Sequence, residues 1–229
     1  MKKENRRKPT LADYRKRDEY NDLQKAGKLT EEQNLDHLEF LNSIDWTDEL
    51  FCENGKYGLK SPIGELLLPP LFDNMKTLSS TGLCKGERVV VQQNGKWGIA
   101  LADGIGTWLI QPEYEFIGYP NNLTAVCLDG KWGVLNISKN DFLIPPECDR
   151  IYIDGGFMFV NGMGVYEKNG KSGIISDDGS FTEAIFEDVI IELDEFVKVN
   201  YEGQWGYVDK NNLFTTDEDE AFYNCILDS

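Results

Sequence analysis

The sequence predicts an all-β repeat array: five units of antiparallel β-hairpins, preceded by a short N-terminal helical hairpin. Three observations predict it. A five-residue string with Gly at its second and last positions recurs five times. Apolar, β-prone runs flank the copies, such as Val89-Val90-Val91 before one and Ile99-Ala100-Leu101 after it. Two helix-start patterns precede the first copy.

In chain order the helices come first. Thr10, with Asp13 three residues on, is a capping-box start. Residues 11–26 then lack Gly and Pro, and Gly27 supplies a stop. Thr30 and Gln33 form a second box. Leu35, Leu38 and Leu41 follow at helical spacing as one apolar stripe. This predicts a helical hairpin over about 11–43. Its turn, Gly27-Lys28-Leu29-Thr30-Glu31-Glu32, resembles that of SHOCT-type bacterial hairpins. Its expected role is to cover one end of a stacked array. The expected division is 1–43, basic arm and helical cap, and 44–229, repeat domain.

The five strings are Asn54-Gly55-Lys56-Tyr57-Gly58, Asn94-Gly95-Lys96-Trp97-Gly98, Asp129-Gly130-Lys131-Trp132-Gly133, Asn169-Gly170-Lys171-Ser172-Gly173 and Glu202-Gly203-Gln204-Trp205-Gly206. Their last glycines are 40, 35, 40 and 33 residues apart. Asn-Gly and Asp-Gly tolerate positive φ and suit a two-residue type I′ turn. Glu202-Gly203 departs from that preference, so a different turn is expected there. Ser172 leaves the fourth unit without its aromatic. The signature residues Tyr57, Gly58, Trp97, Gly98, Trp132, Gly133, Gly173, Trp205 and Gly206 are read as structural. The rings anchor the units, and each Gly allows close approach of a ring or backbone.

A second element follows 13 to 17 residues after each last glycine. It pairs an aromatic with an acid or amide, then an apolar residue two places on: Phe72-Asp73-Asn74-Met75, Tyr114-Glu115-Phe116-Ile117, Phe186-Glu187-Asp188-Val189 and Tyr223-Asn224-Cys225-Ile226. Cys148-Asp149-Arg150-Ile151 fits with Cys in place of the aromatic. Pro69-Pro70, Pro112 and Pro145-Pro146 precede it and are expected to end a strand, because Pro cannot donate to a ladder. Each unit thus holds three or four strands.

These strings resemble the WG (KWG) β-repeat family of bacterial proteins, over about residues 44–226. The resemblance implies an array of antiparallel hairpins and brings no known catalytic centre. Two architectures remain open, a solenoid-like stack and a five-bladed, propeller-like ring. Helices at one end favour the stack.

Composition narrows the function. The chain has 229 residues, 23 Lys+Arg, 40 Asp+Glu and one His, a net charge of −17. Residues 1–28 carry ten Lys/Arg and five Asp/Glu, a net of +5, and residues 29–229 carry thirteen and thirty-five, a net of −22. An acidic body argues against general nucleic-acid binding, which needs clustered positive charge, and against an anionic membrane surface. It fits a basic protein partner. The basic head is read as a solvated arm; docking onto the acidic body or onto an acidic partner are the sharper alternatives. No apolar run approaches the ~20 residues of a spanning helix, and no signal peptide is expected. Five cysteines without C-x-x-C point to reduced, mostly buried thiols in a cytoplasmic protein.

Chemistry is sparse. The single His37 is expected on the solvent side of its helix, so no Ser-His-Asp or zinc arrangement is expected. Asp177-Asp178-Gly179 reads as a turn and Gly104-Ile105-Gly106 lacks the Lys of a phosphate loop. No catalytic, cofactor or metal residue is assigned. The candidate protein-binding residues are the acidic run Asp217, Glu218, Asp219 and Glu220, together with Trp108 and Tyr119; for Trp108, packing against the next unit is the alternative. The expected function is a non-catalytic protein-interaction module, one version being an inhibitor or immunity protein for a basic bacterial toxin. The alternatives are a structural subunit docked by its N-terminal helices and a carboxylate-dependent, carbohydrate-active enzyme. The repeat acids Asp73, Glu115, Asp149 and Glu187 serve turns or caps as much as partners.

Overall fold

A computed structural model describes residues 6–76, 85–153, 158–159, 162–191, 197–208 and 214–216. The residues group into two compact units, Met1–Gln93 with Ala100–Leu109, and Asn94–Ile99 with Ile110–Ser229. The helical hairpin falls in the first unit together with the first repeat.

Helix α1 spans Leu11–Lys25 and α2 spans Glu31–Ser43. Both begin with the predicted capping boxes: the Thr10 hydroxyl accepts from the Asp13 N–H, and Thr30 from that of Gln33. Gly27, at φ +63°, ends α1 in a Schellman motif, with Lys28 N–H donating to the Leu23 carbonyl and Gly27 N–H to that of Gln24. The described part of the arm is tied down by ion pairs, while the Arg7 and Lys8 side chains stay exposed. The Arg7 guanidinium donates to both oxygens of Asp13, at 2.6 and 2.7 Å. It holds that carboxyl far below the usual carboxylate range. Lys8 pairs with Asp45 at 2.9 Å.

The face that α2 buries is not the leucine stripe. Leu35 and Leu38 are 64% and 55% exposed, while His37 is buried. The expectation of a solvent-facing His37 is therefore corrected. Its ring stacks on Tyr20 at 4.5 Å between centroids, with Phe40 at 6.5 Å on the same helix. Flat rings supply more contact here than leucines, and Phe40 leads on to Trp46, which packs edge-on to Tyr14 at 5.2 Å. Nδ1 of His37 has no hydrogen-bond partner among the described residues. Burial first, and then the charge of Lys16, lower the pKa of His37 below its ordinary 6.5. The unfolded chain therefore binds the proton more readily. The stabilising contribution is complete above about pH 6.5 and is lost as pH falls below it toward the depressed folded value. The melting temperature is expected to drop between pH 7 and pH 5, and His37→Phe, which keeps a stacking ring, to flatten that slope. The one imidazole NMR resonance should titrate with a midpoint below 6.5.

The body forms five antiparallel sheets among the described residues. The first is β1 (Glu49–Glu53), β2 (Lys56–Lys60) and β3 (Leu66–Phe72). The second is β4 (Asn74–Lys76), β5 (Arg88–Gln93), β6 (Lys96–Leu101) and β7 (Trp108–Tyr114). The third holds β8 (Phe116–Ile117), β9 (Leu123–Leu128), β10 (Lys131–Asn136) and β11 (Asp141–Cys148), in the order β11-β10-β9-β8. The fourth holds β12 (Arg150–Ile151), β13 (Met163–Lys168) and β14 (Lys171–Ser176), and the fifth β15 (Asp188–Ile191), β16 (Val197–Tyr201), β17 (Gln204–Val208) and β18 (Phe214–Thr215). This is an all-β repeat array with two N-terminal helices.

All five turns are of one type. The first turn residue lies at φ between 49° and 55° in each, Glu202 included at 51°, and the following Gly is also positive. The expectation of a different fifth turn is thus corrected: strand twist selects the I′ geometry even where Glu must adopt it.

The prolines do not end their strands. Pro69-Pro70 lie inside β3, Pro112 inside β7 and Pro145-Pro146 inside β11. Opposite Gly58 the partner of Tyr57 is Phe72 and that of Leu59 is Leu68. Opposite Gly133, Trp132 faces Cys148 and Val134 faces Ile144. Three residues thus oppose one Gly, a bulge on the strand at the sheet's edge, and bulged positions need no ladder donor.

In the first unit one core gathers Leu59, Leu67, Leu68, Phe72, Val89 and Val91. In the second unit one core is built on Val134, Ile144, Cys148, Tyr166 and Ile175, and another on Ile174, Phe186, Val197, Val199 and Val208.

Candidate interaction surface

The repeat acid sits where one sheet hands over to the next. In Phe72-Asp73-Asn74, β3 ends at Phe72 and β4 begins at Asn74, so the aromatic belongs to one sheet and the residues after the acid to the following one. The backbone N–H of each acid donates to the next hairpin: Asp73 to the Gln92 carbonyl, Glu115 to Cys127, Asp149 to Glu167 and Glu187 to Asn200, at 2.8 to 2.9 Å.

The acid side chains form a second link. Lys56 pairs with Asp73, Lys96 with Glu115 at 3.2 Å, Lys131 with Asp149 at 2.6 Å and Lys171 with Glu187 at 2.6 Å. Each lysine is the third residue of its hairpin string. The other carboxylate oxygen accepts from the turn of the following hairpin: Gly130 N–H to Glu115 at 2.9 Å, Asn169 N–H to Asp149 at 2.8 Å and Glu202 N–H to Glu187 at 3.0 Å. One carboxylate therefore staples its own hairpin to the next. The Gly130 amide, then Lys96, lower the Glu115 pKa; Lys131, then Asn169, lower that of Asp149; Lys171 leads for Glu187. Folded values below the unfolded ones mean that this stabilisation is present above about pH 4 to 4.5 and is lost as pH falls below that range. Asp149→Ala is expected to lower the melting temperature at pH 7 and to shrink its acid-side fall. Asp149→Asn keeps an acceptor for Asn169 and should lose less. Equal melting curves for Asp149→Ala and the parent would show that the staple contributes nothing.

All five signature glycines are buried, whereas the aromatics before them are not core. Trp97 and Trp132 are half-buried, and Tyr57 and Trp205 are 36% and 41% exposed. Trp132 tilts against Phe116 at 5.3 Å. Ser172 is buried. In its repeat the Tyr166 ring covers Gly173, and its hydroxyl donates to the Thr182 carbonyl at 2.6 Å.

Among the residues singled out for binding, Trp108 is half-buried and stands edge-on to Phe72 at 5.6 Å, against the first unit's core. Phe72 belongs to the preceding repeat, not to the next one. Tyr119 is half-buried. Asp217, Glu218, Asp219 and Glu220 lie outside the described residues, as do Tyr223 to Ile226, Cys84 and Cys225. Cys127 and Cys148 are buried, but Cys52 is exposed because β1 lies at a sheet edge.

Sequence reasoning missed two surfaces. One is the turned-out Leu35/Leu38 face of α2. The other is a cleft of about 370 Å³ in the second unit, lined by Leu143, Tyr166, Lys168, Lys171, Phe181 and Glu183 among others. Lys168 pairs there with Glu147 at 2.7 Å. Glu183 is the one carboxylate among the described residues lining the cleft. No described group of three His, Cys, Asp or Glu could hold a metal ion. No described helix is long and apolar enough to cross a membrane.

Repeated hairpins, buried glycines and a carboxylate staple define an antiparallel β-repeat protein. The family model for the WG containing repeat matches residues 57–97, 101–132 and 132–171. The chain belongs to the WG-repeat proteins. The match stops at Lys171, inside the fourth string and one residue before Ser172, which replaces the aromatic. No curated protein matches. Among solved structures, Kluyveromyces lactis Hsv2 is similar at 9% identity and a TM-score of 0.35, over 74% of this chain and 59% of that one. PorZ of Porphyromonas gingivalis, described as an essential bacterial surface component of the type-IX secretion system, is similar at 11% identity and a TM-score of 0.32, over 75% of this chain. This chain spans 25% of PorZ. At such scores neither likeness bears on this protein's role.

Proposed function

We propose that the protein is a non-catalytic protein-interaction module whose acidic repeat body binds a basic protein in the cytoplasm, as an inhibitor or immunity protein does. One observation carries this. The body cations Lys56, Lys85, Lys96, Lys131, Lys168 and Lys171 are paired with acids of the body itself. Exposed acids such as Asp129, Asp141, Glu183, Asp188 and Glu202 form no ion pair among the described residues. The outward field is therefore negative, which speeds encounter with a basic surface. Tagged full-length protein, purified from its native host at low salt and stepped to high salt, should release a partner with a pI above about 9, since screening weakens such contacts. Recovery of acidic partners alone, or of none, would overturn the proposal.

A second reading, docking of the chain into a larger assembly, is favoured by the exposed Leu35 and Leu38. A Leu35→Asp, Leu38→Asp double variant should then leave the assembly while keeping its fold.

A further inference from the structure

Three of the five hairpins turn on the same tripeptide: Asn54-Gly55-Lys56, Asn94-Gly95-Lys96 and Asn169-Gly170-Lys171. Their turns share one backbone shape, with Asn at φ 50°, 54° and 54° and Gly at 77°, 80° and 72°. Asn followed by Gly carries a latent reaction. Once deprotonated, the Gly nitrogen is an internal nucleophile that can close a five-membered ring on the Asn side-chain carbonyl, and Gly has no Cβ to hinder it. The reacting groups are identical at the three sites, so only the fold can separate them. Closing the ring draws the Gly nitrogen out of the hairpin turn. Each site therefore reacts at a rate set by how often its turn opens.

The fold anchors the three turns unequally. At the fourth hairpin the Asn169 N–H donates to Asp149 at 2.8 Å, and Asp149 is itself held by Lys131 at 2.6 Å. A carboxylate at the turn also disfavours the amide anion that must attack. The strand leading into this turn, β13, runs between β12 and β14 and buries Gly164, Val165 and Tyr166. At the second hairpin β5 runs between β4 and β6 and buries Val89, Val90 and Val91. The first hairpin has neither device. Staple acids come from the repeat before, and here the segment before is the helical hairpin. Among the described residues no side chain bonds the Asn54 or Gly55 amide. There β1 pairs with β2 alone, and of its residues only Phe51 is even half-buried.

We propose that Asn54 is a site of spontaneous covalent modification, converting ahead of Asn94 and Asn169, and that the carboxylate staple holds Asn169 back. The Gly55 nitrogen bonds to Cγ of Asn54, the Cγ–Nδ2 bond breaks, and ammonia leaves with the Gly55 proton. Water then opens the cyclic imide at one of its two carbonyls. Opening at Cγ leaves an aspartyl residue. Opening at the backbone carbonyl leaves an isoaspartyl residue, whose main chain runs through Cβ and is one atom longer. The sum is one water consumed and one ammonia released, with no oxidant or reductant. The aspartyl product keeps the turn, since Asp129-Gly130 already forms it at φ 51° and 75°. The isoaspartyl product does not fit a two-residue turn and loosens β1 from β2. Either product adds a negative charge to a chain that already carries −17.

The test follows the three sites in one sample. Full-length protein is incubated at neutral pH, sampled over weeks and digested, and the amide, aspartyl and isoaspartyl forms of each turn peptide are separated and counted by mass spectrometry. Asn54 should convert about tenfold or more faster than Asn169, the factor that one hydrogen bond to a charged acceptor is worth. In guanidinium chloride the three rates should converge, because the tripeptide is the same. Asp149→Ala should speed Asn169 by a similar factor and leave Asn54 and Asn94 as they were. Asp149→Asn, which keeps an acceptor, should speed it less. Equal rates at the three sites of the folded protein, first conversion at Asn94 or Asn169, or a spread that persists in guanidinium chloride would overturn the proposal. So would an Asn169 rate indifferent to Asp149→Ala, or a rise spread over all three sites.

Discussion

Gly133→Val is expected to cost about 3 kcal/mol or more of stability, well beyond the cost of Gly130→Ala in the same hairpin, at about 1–2 kcal/mol. Gly130 sits at φ +75° with open space around its Cα, so a side chain there pays mainly for backbone strain. Gly133 has no such φ, but a Cβ on it would lie 2.7 Å from the Ile144 carbonyl oxygen and 2.8 Å from the Pro146 nitrogen. Both are backbone atoms of the bulged strand β11 and cannot rotate away. The bulge folds the edge strand over the glycine, which is why the signature ends in Gly. Urea unfolding of the two variants measures the difference. Equal losses would mean that β11 can move aside.

Phe72→Ala is expected to cost about 3–5 kcal/mol, and Tyr57→Ala much less, although Tyr57 holds the signature position. Phe72 is 1% exposed, and its ring supports Trp108 and approaches Gly106. Tyr57, directly opposite it in the ladder, is 36% exposed. The loss in Phe72→Ala should come with a changed tryptophan emission as Trp108 loses its edge-on partner. If Tyr57→Ala proved the more damaging, the packing role given to the second repeat element would be wrong.

These two contrasts show where the sequence was legible. The five hairpins, four of their turns and both capping boxes could be read from it, because Asn-Gly or Asp-Gly geometry and a Thr hydroxyl three residues from its partner are local matters. The importance of Asp73, Glu115, Asp149 and Glu187 was visible as periodicity, but not the staple, since the carboxylates reach partners 15 to 20 residues away. The prolines misled because a bulge removes the ladder donor that Pro lacks, and nothing local announces a bulge on β3 or β11. His37 and the leucines misled for a different reason. Helical spacing shows that a face exists, not which face finds a partner, and Tyr20, Phe40 and Trp46 claimed the side that holds His37.

Repeat number, the type of four of the five turns, phase and the division into a basic head and an acidic body were thus settled by residue order, because each depends on contacts within a few residues or on charge alone. Tertiary structure decided which charges are spent internally and how the segment after each acid passes to the next sheet. Those depend on which strands meet across distant parts of the chain, and a local pattern carries no record of its partner.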